Sequence, residues 1–184
     1  MNNTVSSRAQ LIEQCKEIVR EKGIEAVSIR AIAEKSQISV GAVYNYFPNK
    51  GELLAETLGS VWGEIFHFSE DSYQFKHFTD CLAALFKSVA EGKRRYPNFF
   101  TSQALVLAFD EKNMGMAKMA LYWHHIKDSL LTALDQDQRV RPAIFEEALT
   151  KQQYVDYIFD LFLNAIMKDY PAQSILKLVE NSLY

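Results

Sequence analysis

The sequence is poor in residues that bend or break a chain: seven glycines and four prolines among 184 residues. That is too few for the many tight turns of an all-β sandwich, and it leaves long segments free to run as helices. Two cysteines, Cys15 and Cys81, exclude a disulfide-rich framework. Both sit among apolar residues at helical spacing, so two reduced, buried thiols are expected. Long hydrophobic runs are missing as well. The longest, 104–109, falls far short of the roughly 20 residues that cross a bilayer. The polar opening MNNTVSSRAQ has no signal-peptide core, so a cytoplasmic protein with no membrane partner is expected. No phosphate-binding glycine loop, zinc-protease helix, nucleophile elbow or dinucleotide fingerprint occurs. Without a credible acid–base pair, an enzyme is the weaker reading, and neither a cofactor nor a metal is implied.

Net charge is −3, but it is unevenly spread. Residues 1–50 hold seven basic side chains (Arg8, Lys16, Arg20, Lys22, Arg30, Lys35, Lys50) against five glutamates, a balance of +2, and the remainder carries −5. A mildly basic head on an acidic body suits a nucleic-acid module carried by a domain with another task.

Apolar spacing predicts an all-α chain of about nine helices. Leu11, Ile12, Cys15, Ile18 and Val19 form one stripe of a helix over about 6–22, with Gly23 as its stop. Ser28 is a good N-cap for a short second helix with Ile29, Ile32 and Ala33 facing inward, and Ser39 caps an equally short third. In the third, Val43 and Phe47 are four apart and face the core, while Val40, Gly41, Tyr44 and Asn45 lie opposite. Pro48 stops it, and Asn49 with Glu52 reads as a capping box that starts a long helix to about 66. Further helices are expected at about 73–92, 97–109, 114–135, 150–168 and 172–183, with a short turn after Pro142. The division expected is a head at 1–50 and a body at 51–184, joined by the helix from 49.

Two short helices joined by a tight turn and braced by a longer one form a helix-turn-helix, which lays its second helix in the DNA major groove. The stretch VSIRAIAEKSQISVGAVYNYFPNKGELL strongly resembles the N-terminal domain of the TetR family of transcriptional regulators: a capped helix with IA in its middle, then AVYNYF, then the lysine opening the next helix. The match covers about residues 8–56. It implies a homodimer that reads a palindromic double-stranded DNA operator, and a C-terminal domain that binds a small molecule and releases the DNA.

Residue chemistry assigns roles within that frame. Gly41 lets the backbone approach DNA, Tyr44 and Tyr46 can donate hydroxyls to phosphates, and Lys50 adds charge beside the free N–H groups of the following helix. Val40 and Ala42 can touch thymine methyls, Asn45 can read adenine, and guanine reading falls to Arg30. Ser28 and Ser39 are caps first and phosphate ligands second. The plainer readings are that Tyr46 packs against the first helix and that Asn45 is simply solvated.

In the body, 11 of the 14 residues at 154–167 are apolar, too many for a helix buried on one side. Tyr154, Ile158, Leu161 and Phe162, with Ile175 and Val179 on the last helix, are therefore expected at a four-helix dimer interface. Aromatic residues concentrate mid-body, and Trp62, Phe66, Phe86, Phe100 and Trp123 are the expected lining of an effector pocket for a hydrophobic drug, lipid or acyl compound. Gly59 and Gly63 read either as a bending point or as bare backbone for close helix packing. His77 with Cys81 lacks a third metal ligand, adjacent His124 and His125 point in different directions, and GKRRYP at 92–97 reads as a solvated loop. The alternatives are a helical enzyme, or a helical interaction module or small-molecule-binding protein that has lost DNA binding.

Overall fold

The computed structural model describes residues 7–66, 75–100 and 116–184. Among them the chain is all-α, with eight α-helices: α1 Arg8–Lys22, α2 Ile29–Lys35, α3 Val40–Tyr44, α4 Lys50–Phe66, α5 Phe78–Arg95, α6 Met116–Gln136, α7 Lys151–Lys168 and α8 Ala172–Leu183. Short 3-10 turns occupy Ile24–Ala26 and Pro142–Ile144, the second where a turn after Pro142 was expected.

Local chemistry explains most of the boundaries. Ser7 caps α1 through a capping box with Gln10. Gly23 ends it at φ +85°, where an added Cβ would lie 2.8 Å from Glu25 Oε2 and 3.2 Å from the Asn98 carbonyl, so only glycine fits. Ser28 and Ser39 accept from the N–H groups of Ala31 and Ala42, each at 3.1 Å, as their spacing predicts. Asn49 caps α4 by accepting from the Glu52 N–H at 2.9 Å, but the Glu52 carboxylate, expected to complete a capping box, turns to Arg8.

Two expected boundaries are corrected. The helix predicted at 73–92 starts at Phe78 and runs to Arg95. Its start is set by the buried carboxylate of Asp137, which accepts from the Phe78 N–H at 3.0 Å. Its end passes through Gly92, whose bare Cα accommodates Ile65. Gly92–Arg95 is thus helix, and only the remainder of GKRRYP is loop. The helix predicted at 97–109 does not begin there, because 97–100 are turn; its later part, including the apolar run at 104–109, lies outside the described residues.

The chain divides into two compact units, whose boundaries fall within helices and not at residue 50. The described part of the first is 7–65, 92–100 and 116–120, and that of the second is 66, 75–91 and 121–184. Leu11, Cys15, Ile32, Val43, Phe47, Leu53, Val61 and Trp62 fill the first core. Phe66, Phe78, Leu82, Ile126, Leu130, Phe159, Phe162 and Val179 fill the second. At the polar centre of the second unit, Asp137 accepts from Arg139 Nε (3.1 Å), the Tyr184 hydroxyl (2.5 Å) and the Phe78 N–H, with His77 Nδ1 at 3.2 Å. Burial alone would raise this carboxyl; Arg139, Tyr184 and the backbone donors outweigh it and hold the group well below the usual carboxylate range.

Candidate nucleic-acid interface

The interface is built by α2, a four-residue turn and α3. At the end of α2 the Gln37 N–H donates to the Glu34 carbonyl at 3.1 Å and the Ile38 N–H to the Ala33 carbonyl at 3.0 Å, a Schellman closure. Gln37 takes the left-handed position at φ 55°, where glycine is the unstrained residue. The apolar and polar spacing of the sequence does not reveal this feature; a break between the two capped helices was its only signal.

Val43 on α3 and Phe47, three residues past its end, are fully buried, which fixes the helix against the first core. The opposite side faces solvent: Val40 is 41% and Tyr44 50% exposed, and Ser39, Gly41 and Asn45 are exposed with them. Ala42, Tyr46 and Ser28 are half-buried, and Arg30 and Lys50 are exposed. All ten residues assigned to DNA therefore retain accessible surface, and the five exposed ones on and beside α3 form one ridge. Gly41 has open space around it, since an added Cβ would meet nothing nearer than Ser39 Oγ at 3.9 Å.

The electrostatics are sparser than the basic count implied. Arg8 pairs with Glu52 and Glu56, Lys16 with Glu13 and Glu64, Arg20 with Glu64, and Lys35 with Glu17 and Glu21. Of the seven cations in the head, Lys22, Arg30 and Lys50 make no ion pair with the described residues, and the last two flank the α3 ridge in sequence. Glu64 is a structural node: Lys16 lies at 3.2 Å, Arg95 at 2.7 Å, and the Tyr96 hydroxyl donates at 2.5 Å. Burial would raise its carboxyl, but Tyr96, Lys16 and Arg95 lower it, while burial and Glu64 push the Tyr96 phenol up to about 12.

The five aromatic residues expected to line a pocket divide between the units. Trp62 and Phe100 meet edge to face in the first, centroids 5.5 Å apart. In the second, Phe66 meets Trp123 and Phe162, each at 6.4 Å, and Phe86 packs on Phe162 at 4.9 Å. Phe86 and Trp123 are half-buried there, and Phe159, which sequence reasoning did not single out, joins Trp123 at 5.5 Å. Lys127 lies over the Phe159 ring and pairs with Asp156 at 2.8 Å.

The residues expected at a dimer interface fall mostly in the chain's own core. Tyr154, Ile158, Phe162, Ile175 and Val179 are all buried, and Leu161 alone is half-exposed. The apolar side chains these helices leave accessible are others: Tyr157 (62% exposed), Leu161 and Met167 on α7 and Leu178 (52% exposed) on α8. His77 is engaged by Asp137, and Cys81 is buried, which pushes its thiol up to about 12. No cluster of three metal-ligating side chains occurs among the described residues. No helix among them is long and apolar enough to cross a membrane.

Residues 11–57 match the model of the family described as "Bacterial regulatory proteins, tetR family". The HTH-type transcriptional repressor KstR of Mycolicibacterium smegmatis is 40% identical over 58 residues, 32% of this chain and 28% of the repressor. The chain thus aligns with less than a third of that relative's length. Two solved structures share the whole fold at low identity. RolR without ligand has a TM-score of 0.61 and 19% identity, covering 93% of this chain and 89% of its own. The transcriptional regulator FadR from Bacillus subtilis, in complex with stearoyl-CoA, has a TM-score of 0.62 and 18% identity, covering 97% and 100%.

Proposed function

Since the chain belongs to the TetR family of bacterial regulatory proteins, we propose that it is a cytoplasmic, homodimeric transcriptional repressor that binds a palindromic operator and is released by a hydrophobic effector. The observation that carries the reading is α3 itself. Its inner residue Val43 and the following Phe47 are fully buried, while Val40, Gly41, Tyr44 and Asn45 are left to solvent on one ridge. A helix whose outer face combines a close-approach glycine, a phenol, an amide and a methyl-bearing side chain fits a major groove and serves no purpose in packing.

In this reading Tyr44, Lys50 and the N-terminus of α4 hold phosphates and set the register, Tyr46 adding a hydroxyl from its half-buried position. Asn45 reads adenine, Arg30 reads guanine, and Val40 with Ala42 meets thymine methyls. The caps Ser28 and Ser39 lie at the two helix starts nearest the backbone. A second copy docks on Tyr157, Leu161 and Leu178, giving two heads for the two half-sites. The effector site is the aromatic cluster of the second unit, where the half-buried Phe86 and Trp123 border buried Phe66 and Phe162. Trp62 and Phe100 are assigned to the first core. With Lys127 already paired to Asp156, apolar and aromatic surface dominates, which favours a lipid, acyl or aromatic compound.

The test is enrichment of duplexes from a randomised pool by the wild-type protein and by Tyr44→Ala with Asn45→Ala. A palindromic site enriched by the wild type and not by the double variant supports the reading. Equal enrichment by both, or none by either, removes it.

A further inference from the structure

Arg8 opens α1, and its side chain is 42% exposed, yet all three of its nitrogens donate to other parts of the first unit. Nη1 donates to the Tyr46 carbonyl at 2.7 Å, Nε to Glu56 Oε2 at 2.9 Å, and Nη2 to Glu52 Oε1 at 2.6 Å. The guanidinium also lies over the Phe47 ring, with Cζ 4.8 Å from its centroid.

We propose that Arg8 is a positioning residue for DNA recognition, a bracket that fixes the C-terminal end of α3 to α1 and α4 and takes no phosphate itself. This rests on reading α3 as the DNA probe.

The need for a bracket follows from the length of α3. Five residues form little more than one turn, which cannot hold a direction through its own hydrogen bonds. Its first end is held by the Ser39 cap. At the other end the chain leaves through Tyr46, Phe47 and Pro48, and carbonyls past a helix end lack intrahelical donors. Arg8 supplies that donor to Tyr46, and the same planar group covers the ring of Phe47, the α3 anchor. Tyr44 and Asn45 lie two residues and one residue before that carbonyl, so their projection is set by where it is held. Two carboxylates surround one guanidinium, leaving a local charge hostile to phosphate. A lysine cannot substitute, because one ammonium cannot stack and serve three acceptors in a plane.

The experiment compares wild-type full-length protein with Arg8→Lys, Arg8→Gln and Glu56→Gln. The probes are a duplex that the wild type selects from a randomised pool and an unrelated duplex, each across a salt series. Hydrogen exchange is followed at the Tyr46 and Phe47 amides, which both donate to the Val43 carbonyl. The bracket predicts that Arg8→Lys lowers specific affinity on the order of tenfold. Unrelated-duplex binding and the salt slope should stay unchanged, and the two amides should exchange faster in free protein. Glu56→Gln, which keeps Arg8 but loosens it, should weaken specific binding too. The proposal is overturned if Arg8→Lys binds like wild type. It is equally overturned if Arg8→Gln flattens the salt slope as a lost phosphate contact would, or if Glu56→Gln tightens DNA binding. Should the wild type select no duplex, the functional reading fails, and exchange still decides the bracket: faster exchange in Arg8→Lys supports it and unchanged exchange ends it.

Discussion

A Cβ placed on Gly92 would lie 2.9 Å from Cγ1 and 3.0 Å from Cγ2 of Ile65, closer than packed atoms come. Ile65 is buried and β-branched, so it cannot swing aside cheaply. Gly92→Ala should therefore destabilise the protein by about 1–3 kcal/mol despite alanine's better helix propensity. Denaturant unfolding checks this, and Gly92→Ala should cost less in an Ile65→Ala background, where both Cγ atoms are gone.

Arg30 and Lys50 should separate cleanly in binding profiles. Lys50→Ala removes a phosphate charge and should weaken binding to all duplexes, flattening the salt slope by about one per head. Arg30→Ala removes a base reader and should cost about 1–3 kcal/mol at one operator position, relaxing specificity there. Profiles showing the reverse would exchange the two roles.

Asp137 should govern acid stability in the second unit. Its folded carboxyl titrates well below the ordinary carboxylate value of 3.8, and unfolding returns it to that value. A depressed folded pKa adds stability that is present above the ordinary value and is lost as pH falls below it. Asp137→Asn should cost about 3 kcal/mol at neutral pH by removing the negative charge opposite Arg139 and replacing one of the two acceptor oxygens with a donor. It should also flatten the acid limb of the stability profile below about pH 4, as measured by thermal melts across a pH series.

Charges placed on the exposed face of α7 and α8 should produce a folded monomer. Tyr157→Glu with Leu178→Glu should halve the sedimenting mass at unchanged helical content. Phe162→Ala, in the core of the same helix, should instead destabilise by about 3–5 kcal/mol without acting selectively on assembly. A double variant that remains dimeric moves the interface elsewhere.

What the sequence made legible was local. Ser28, Ser39 and Gly23 stand where caps and stops are needed, and Val43 with Phe47 repeats at one helical interval, so the head could be read before any coordinates. The missed features are non-local. Asp137 holds the Phe78 amide 59 residues away and the Tyr184 hydroxyl 47 residues away, and no spacing rule links them. On α7 the apolar residues outnumber what one face can hold, so spacing says that some meet a partner without saying which. The structure buries Tyr154, Ile158 and Phe162 in the chain's own core and leaves Tyr157 exposed. The basic count misled for a related reason: Lys16, Arg20 and Lys35 are matched by glutamates on other helices or turns, and counting charge along the chain cannot see the match.

The measurement that bears most directly on the central claim is the salt dependence of duplex binding by the wild-type protein. Lys50 on each of two heads gives two phosphate-neutralising cations, and log affinity should fall with log salt at a slope of about −2. Affinity for a selected palindrome that falls on such a line, and that Tyr44→Ala with Asn45→Ala abolishes, is the predicted result. A slope near zero, or no preference for any duplex over another, would contradict the account.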